Sequence, residues 1–319
     1  MSVGRYVLQR ILEAIPLLLL VTIVTYFLMN ITPGGPLAVY LHNPKVTPAR
    51  LAILAKQLGL DQPWYTRYFL WLWALMRGNW GYSYFSGLPV MQLIGERLPN
   101  TLILMGAAFI ISFGCGLPLG IYVARHQYSF QDHALSFLSF FAWAMPSFFF
   151  GLILQTVFAV KLGWLPASGM WSVYHQHTLW QLLRHLILPS VVLGLGSIAS
   201  WSRFIRAGIL EVIKEDFIRT ARAKGLTERV VFVKHALKNA LLPIITIIGL
   251  DLPSFFGGAV ITEQIFSWPG MGRLFLDSLN ERDYPVQMAG LLIGAILLIV
   301  GNLAADLAYG FLDPRVHYD

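Results

Sequence analysis

From Leu98 to Ala124 the chain contains no Asp, Glu, Lys or Arg, and from Ala134 to Val160 it again contains none. Each run exceeds the roughly 20 residues that a helix needs to cross the hydrocarbon core. Lipid offers the backbone no hydrogen bonds, so an isolated run of this length must satisfy its own polar groups as a helix. Two such runs, joined by a short link from Arg125 to His133, call for a helical hairpin through a membrane. Composition carries this to the whole chain. Of 319 residues, 56% are hydrophobic and 12% charged, against roughly 25% charged in a soluble domain. The expected fold class is all-α and integral to the membrane.

Four further runs complete the pattern. The first, Ala14–Met29, follows Arg5 and Arg10. A cleavable signal is the alternative there, but the run is long for one. It ends in Asn30-Ile31-Thr32-Pro33-Gly34-Gly35-Pro36 with no small-residue cleavage pattern, so a retained helix is expected. The others are His185–Ser202, Ala240–Thr262 and Pro285–Ala305, the last followed by Asp306, Asp313 and Arg315. Six transmembrane helices return the C-terminus to the side of the N-terminus.

Pro44 to Pro99 is too polar to span as a unit. Thr47-Pro48 opens a short helix through Leu51, Leu54 and Leu58 that ends near Gly59. Tyr65 to Trp73 is aromatic-rich but far too short before Arg77 to cross, and reads as a helix at the water–lipid boundary. The segment 44–97 is therefore expected outside, between helices 1 and 2. Two domains follow: 1–97, and a five-helix core over 98–319 that carries a cytoplasmic loop at 203–240.

That loop is the most informative polar stretch. Between Arg203 and Lys238 there are nine Lys/Arg against four acids, and a cationic segment between two spans belongs on the cytoplasmic side. Both termini are then cytoplasmic too. The loop reads helix, stop, helix. Asp216 is placed to cap an N-terminus, with Phe217, Thr220, Ala221 and Lys224 on one face. Arg222 and Lys224 stand in the last turn, and Gly225 stands where a left-handed residue is wanted. Thr227 is placed to cap the next helix, through Val230, Val231 and Ala236. Two readings are open: an ordinary solvated loop, or a short helix whose small residues let it dock into a groove of another protein.

RTARAKGLT at 219–227, followed by HALKNALLP at 235–243, resembles the EAA loop of binding-protein-dependent ABC-transporter permeases, in its peptide/nickel form. Where the general family has Glu-Ala-Ala, this chain has Arg219-Thr220-Ala221. Gly225 also lies further from Leu242-Pro243 than in the general consensus. Both departures fit the peptide branch. LGLDQPWYTRY at 58–68 and RGNWGYS at 77–83 resemble the region after the first helix of peptide permeases, so the resemblance covers nearly the whole chain.

The resemblance implies a type I ABC importer permease fold in the plasma (inner) membrane of a prokaryote. It implies a subunit for dipeptide or oligopeptide import, forming half of the pathway. A second homologous permease, two ATP-binding subunits and an extracytoplasmic solute-binding protein are the implied partners. Asp216, Phe217, Arg219, Thr220, Ala221, Arg222, Lys224 and Gly225 would form the coupling helix seated in the ATPase. Nickel, glutathione and other small solutes share this branch. A channel or secondary transporter that runs without ATP is the competing class.

Catalytic signals are sparse. There is no GxxxxGK[ST] phosphate loop, HExxH or GxSxG, so no ATPase site, cofactor or metal is expected in this chain, with ATP bound by partner subunits. Cys115 is the only cysteine, which excludes an intrachain disulfide. The net charge of +7 lies beside the spans, where the inner lipid face and a cytoplasmic partner account for it without nucleic acid. Asp251 interrupts the fifth run, where a carboxylate costs about 2.5–3.5 kcal/mol unless it faces water or a partner. With Pro253, Ser254 and Pro146 it forms the candidate translocation path. The alternatives for Asp251 are the outer boundary or a neighbouring subunit. Gly116/Gly120 and Gly290/Gly294 have close-packing spacing, and packing inside the chain is the expected use.

Overall fold

The computed structural model describes residues 3–32, 35–37, 47–57, 59–172, 177–241, 247 and 259–312. Their regular structure is helical: α1 (Val3–Ile31), α2 (Pro48–Gln57), α3 (Trp64–Met76), α4 (Val90–Arg125), α5 (Phe130–Ala144), α6 (Ser147–Leu154), α7 (Leu179–Val212), α8 (Asp216–Ala223), α9 (Glu228–Val230), α10 (Met271–Asn280) and α11 (Tyr284–Leu312). Wider π-helical turns extend α6 over Gln155–Lys161 and α9 over Val231–Leu237. Among the described residues α1, α4, α7 and α11 are each long and apolar enough to cross a membrane.

The run expected to cross, Ala134–Val160, is broken. α5 and the α6 segment meet at a bend of 106°, and counting them together gives five spans among the described residues. Pro146 is the cause. It has no N–H to donate, and its ring drives Met145 out of the helical region, to φ −76° and ψ 125°. The span expected over Ala240–Thr262 lies mostly outside the described residues, although 259–265 are helical.

The chain divides into two compact units: Met1–Tyr6, Leu102–Trp268 and Val300–Asp319 in one, Val7–Thr101 and Pro269–Ile299 in the other. In the first, Trp201, Ile205 and Ile209 of α7 are buried with Ala108 and Ala124 of α4 and with Phe232 and Ala240. Large side chains meet small ones, so α4 and α7 approach closely. Gly120 is where they touch: a Cβ there would lie 2.7 Å from the Ser202 carbonyl oxygen and from Ile205 Cβ. The Gly116/Gly120 spacing thus serves packing inside the chain. Gly120→Ala is expected to destabilise the detergent-solubilised protein by about 1–3 kcal/mol, the usual cost of overpacking against backbone. Gly106, with nothing within 4 Å of such a Cβ, should accept Ala with no loss in the same thermal unfolding assay.

A buried ion pair also joins two elements of this unit. Asp132, only 2% exposed, accepts from Arg206 Nη2 at 2.7 Å and from the Tyr128 amide at 3.0 Å. It thereby ties the start of α5 to the far half of α7.

In the second unit α3 docks by its aromatic face. Tyr68 is buried and shares a 2.9 Å hydrogen bond with Thr22 of α1, and its ring meets Tyr26 edge-on. Phe69, Trp73 and Met76 remain exposed on the same helix. Asp283, just ahead of α11, accepts from the Ser83 hydroxyl and from the Tyr84 amide at 3.0 Å. This pins the loop between α3 and α4 to the start of α11.

Candidate functional site

The loop expected to begin at Arg203 starts later. α7 stays helical to Val212 because Ile205, Ile209 and Val212 prolong its apolar stripe, and Ile205 and Ile209 are buried. A link over 213–215 then turns the chain, with the Lys214 amide bonded to the Glu211 carbonyl and the Glu215 amide to that of Val212, both at 3.1 Å. α8 follows at once.

Asp216 does not cap α8. Glu215 holds that position with extended backbone, φ −66° and ψ 150°, and makes no side-chain cap bond. Asp216 is the first helical residue. Its carboxylate accepts from Arg219 Nη1 at 3.2 Å, and its charge suits the positive end of the helix dipole. The expected face of Phe217, Thr220, Ala221 and Lys224 is also displaced. Only Ala221 of these is buried; the inward stripe is Ile218 and Ala221, packed with Val231 and Ala236 and flanked by Val212 and Ile213. Burial of Ile218 on the end of α7 makes α8 an extension of that spanning helix rather than a free strap.

The far end of α8 matches the sequence pattern. Gly225 has φ +76°, its amide bonds the Arg222 carbonyl at 2.9 Å, and that of Lys224 bonds Thr220 at 3.0 Å. Arg222 reaches past this stop to grip both oxygens of Glu228, at 2.8 and 3.3 Å. Both ion pairs are exposed and worth little by themselves. Thr227 occupies the next cap position but makes no side-chain cap bond, and the helix beyond it widens into the Val231–Leu237 turn.

Outward, Phe217 is 43% exposed and Val233 52%, with Leu226 and Val230 also exposed. Apolar side chains standing out of a basic loop are what a docking surface needs. Residue composition hid this division of labour. Ile218 and Phe217 are adjacent and equally apolar, and only the path of α7 and the Val231–Leu237 turn decides which one is covered.

Of the candidate path residues, Pro146 sits at the start of α6, at the 106° bend. Asp251, Pro253 and Ser254 lie outside the described residues.

Two family models match: the binding-protein-dependent transport system inner membrane component over residues 116–318, and the N-terminal model of the binding-protein-dependent transport system membrane component over residues 3–105. The oligopeptide transport system permease protein AppB of Bacillus subtilis is 44% identical over 316 residues, covering 99% of this chain and 100% of that protein. The dipeptide transport system permease protein DppB of Escherichia coli K12 is 36% identical over 335 residues, covering 98% and 99%. Among solved structures, an inward-facing MetNI methionine ABC transporter chain shares the fold with a TM-score of 0.58 at 18% identity, covering 70% of this chain and 97% of that one. Its helices, its loop and these matches lead to one statement: the chain is a multi-pass membrane protein and belongs to the binding-protein-dependent transport system inner membrane component family.

Proposed function

We propose that this chain is the permease subunit of an ATP-driven importer of dipeptides or oligopeptides, working beside a second permease. Two ATPase subunits bind and hydrolyse the nucleotide, and a solute-binding protein delivers the peptide outside. The chain has no ATPase site of its own. It lies in the inner membrane with both termini and the α8 loop in the cytoplasm, as a six-span protein with an N-terminal part over 1–97 and a core over 98–319. The peptide class follows the names of the relatives, which match from end to end.

The observation that carries the coupling role is the two-faced burial of α8. Ile218 and Ala221 are locked inward against the end of α7, and Phe217 is held outward. Closure of the ATPase pair would push on Phe217, Thr220 and Lys224. Because α8 is packed rather than tethered, the displacement passes to α7 as a rigid-body tilt between two packed arrangements. Gentle solubilisation should recover a nucleotide-hydrolysing subunit with the chain. Phe217→Asp should reduce that recovery roughly tenfold or more, as expected for an aromatic anchor at an interface. Full recovery with Phe217→Asp would remove the docking role.

Asp251, with Pro253, Ser254 and Pro146, is proposed to line the path, Asp251 meeting the cationic amine of the peptide. Asp251→Asn should then impair uptake of free peptides far more than that of N-acetylated ones. Equal losses for both would exclude amine recognition.

A further inference from the structure

The second compact unit contains a cavity of about 500 Å³ that the transport reading does not use. It opens where α1 ends and α11 begins, walled by Tyr26, Trp71 and Tyr284, with Met288 among its apolar residues. Two spans ending together mark a membrane surface, the level at which aromatic side chains concentrate. Its size and mixed lining are those of a site for a small ligand or headgroup.

Charge narrows the ligand. Lys56 and Arg67 line the cavity, and among the described residues no acid does. Arg67 gives one bond, from Nη2 to Asn30 Oδ1 at 2.8 Å, while its Nε is buried with no hydrogen-bond partner. That Nε is closed off from the cavity, so a ligand there would meet the other N–H groups of the guanidinium, whose fork a phosphate oxygen matches. A zwitterionic peptide would bring an ammonium for which the described lining has no carboxylate. The surroundings are also those of a lipid: Leu70 both lines the cavity and is 57% exposed, continuing into exposed Phe69, Trp73 and Met76 on α3.

We propose that this cavity binds the phosphodiester head of an anionic phospholipid, with Arg67 as its principal contact, Lys56 at its rim and the acyl chains along α3. This binding does not depend on what the protein transports.

The test is lipid retention by the full-length chain in its purified complex, counted by native mass spectrometry after delipidation and titration with phosphatidylglycerol or phosphatidylcholine. Wild type should retain phosphatidylglycerol in preference. Lys56→Gln, a change at an exposed side chain, should weaken retention about fivefold, the scale for one basic residue at a membrane surface. Arg67→Gln should weaken it further, and Arg67→Lys should restore part. Unchanged retention in the Lys56→Gln/Arg67→Gln double variant, or equal retention of phosphatidylcholine, would overturn the proposal. So would displacement of the lipid by inorganic phosphate or by a dipeptide, either of which would assign the site to a soluble ligand.

Discussion

Arg206→Met is expected to cost the fold about 3 kcal/mol, the lower end of the range for removing one partner from a buried ion pair. The reason lies in what it leaves behind. Asp132 has 3% of its side chain exposed and Arg206 28%, so the carboxylate cannot turn to water when the guanidinium goes. The Tyr128 amide would remain as a donor, which is too little for a full charge. The loss should appear as a lower thermal unfolding midpoint in detergent and as reduced protein in the membrane. Adding Asp132→Asn should recover most of it, because a neutral amide needs no counter-charge. If the double variant is as unstable as Arg206→Met alone, the cost lies in lost packing of the arginine stem and the uncompensated charge is excluded. Asp132 Oδ1 and Arg206 Nε are both buried without a hydrogen-bond partner. The pair is thus incompletely satisfied, which is why its removal as a pair should be tolerated better than removal of either half.

Gly225→Val is expected to abolish transport while leaving the chain in the membrane. A Cβ at Gly225 would meet nothing within 4 Å, yet the residue sits at φ +76°. The penalty is therefore purely conformational, roughly 1–2 kcal/mol for a β-branched residue held left-handed. Strain of that size, placed at the stop of an eight-residue helix, should unwind the last turn and pull Arg222 off Glu228. On the proposed coupling, ATP hydrolysis by the ATPase subunits should then continue without responding to the binding protein. Gly225→Asn is the control, since Asn tolerates this conformation, and it should keep most of the uptake. Wild-type uptake in Gly225→Val would show that the helix end is not part of the lever.

Much was legible from residue order alone. Charge-free runs locate helices because lipid leaves the backbone no other way to bond, so α1, α4, α7 and α11 fall where the apolar stretches lie. Gly225 was legible as a helix stop because a left-handed turn is a local demand that glycine meets best. Other features were not local. Asp216 reads as a cap by composition, but Glu215 takes the cap position as the turn leaves α7. Arg206 reads as one more basic residue of the loop, and nothing near it in the chain points to Asp132, 74 residues earlier.

The sequence by itself therefore determined that this is a helical membrane chain and that one of its helices stops at Gly225. Hydropathy and backbone geometry act within a few residues and need no neighbours. Only the tertiary structure decided that Ile218 turns inward while Phe217 faces out, and that Arg206 serves a buried acid. Each of those choices is made by what lies on the other side of the contact, and that partner is set by packing between distant segments.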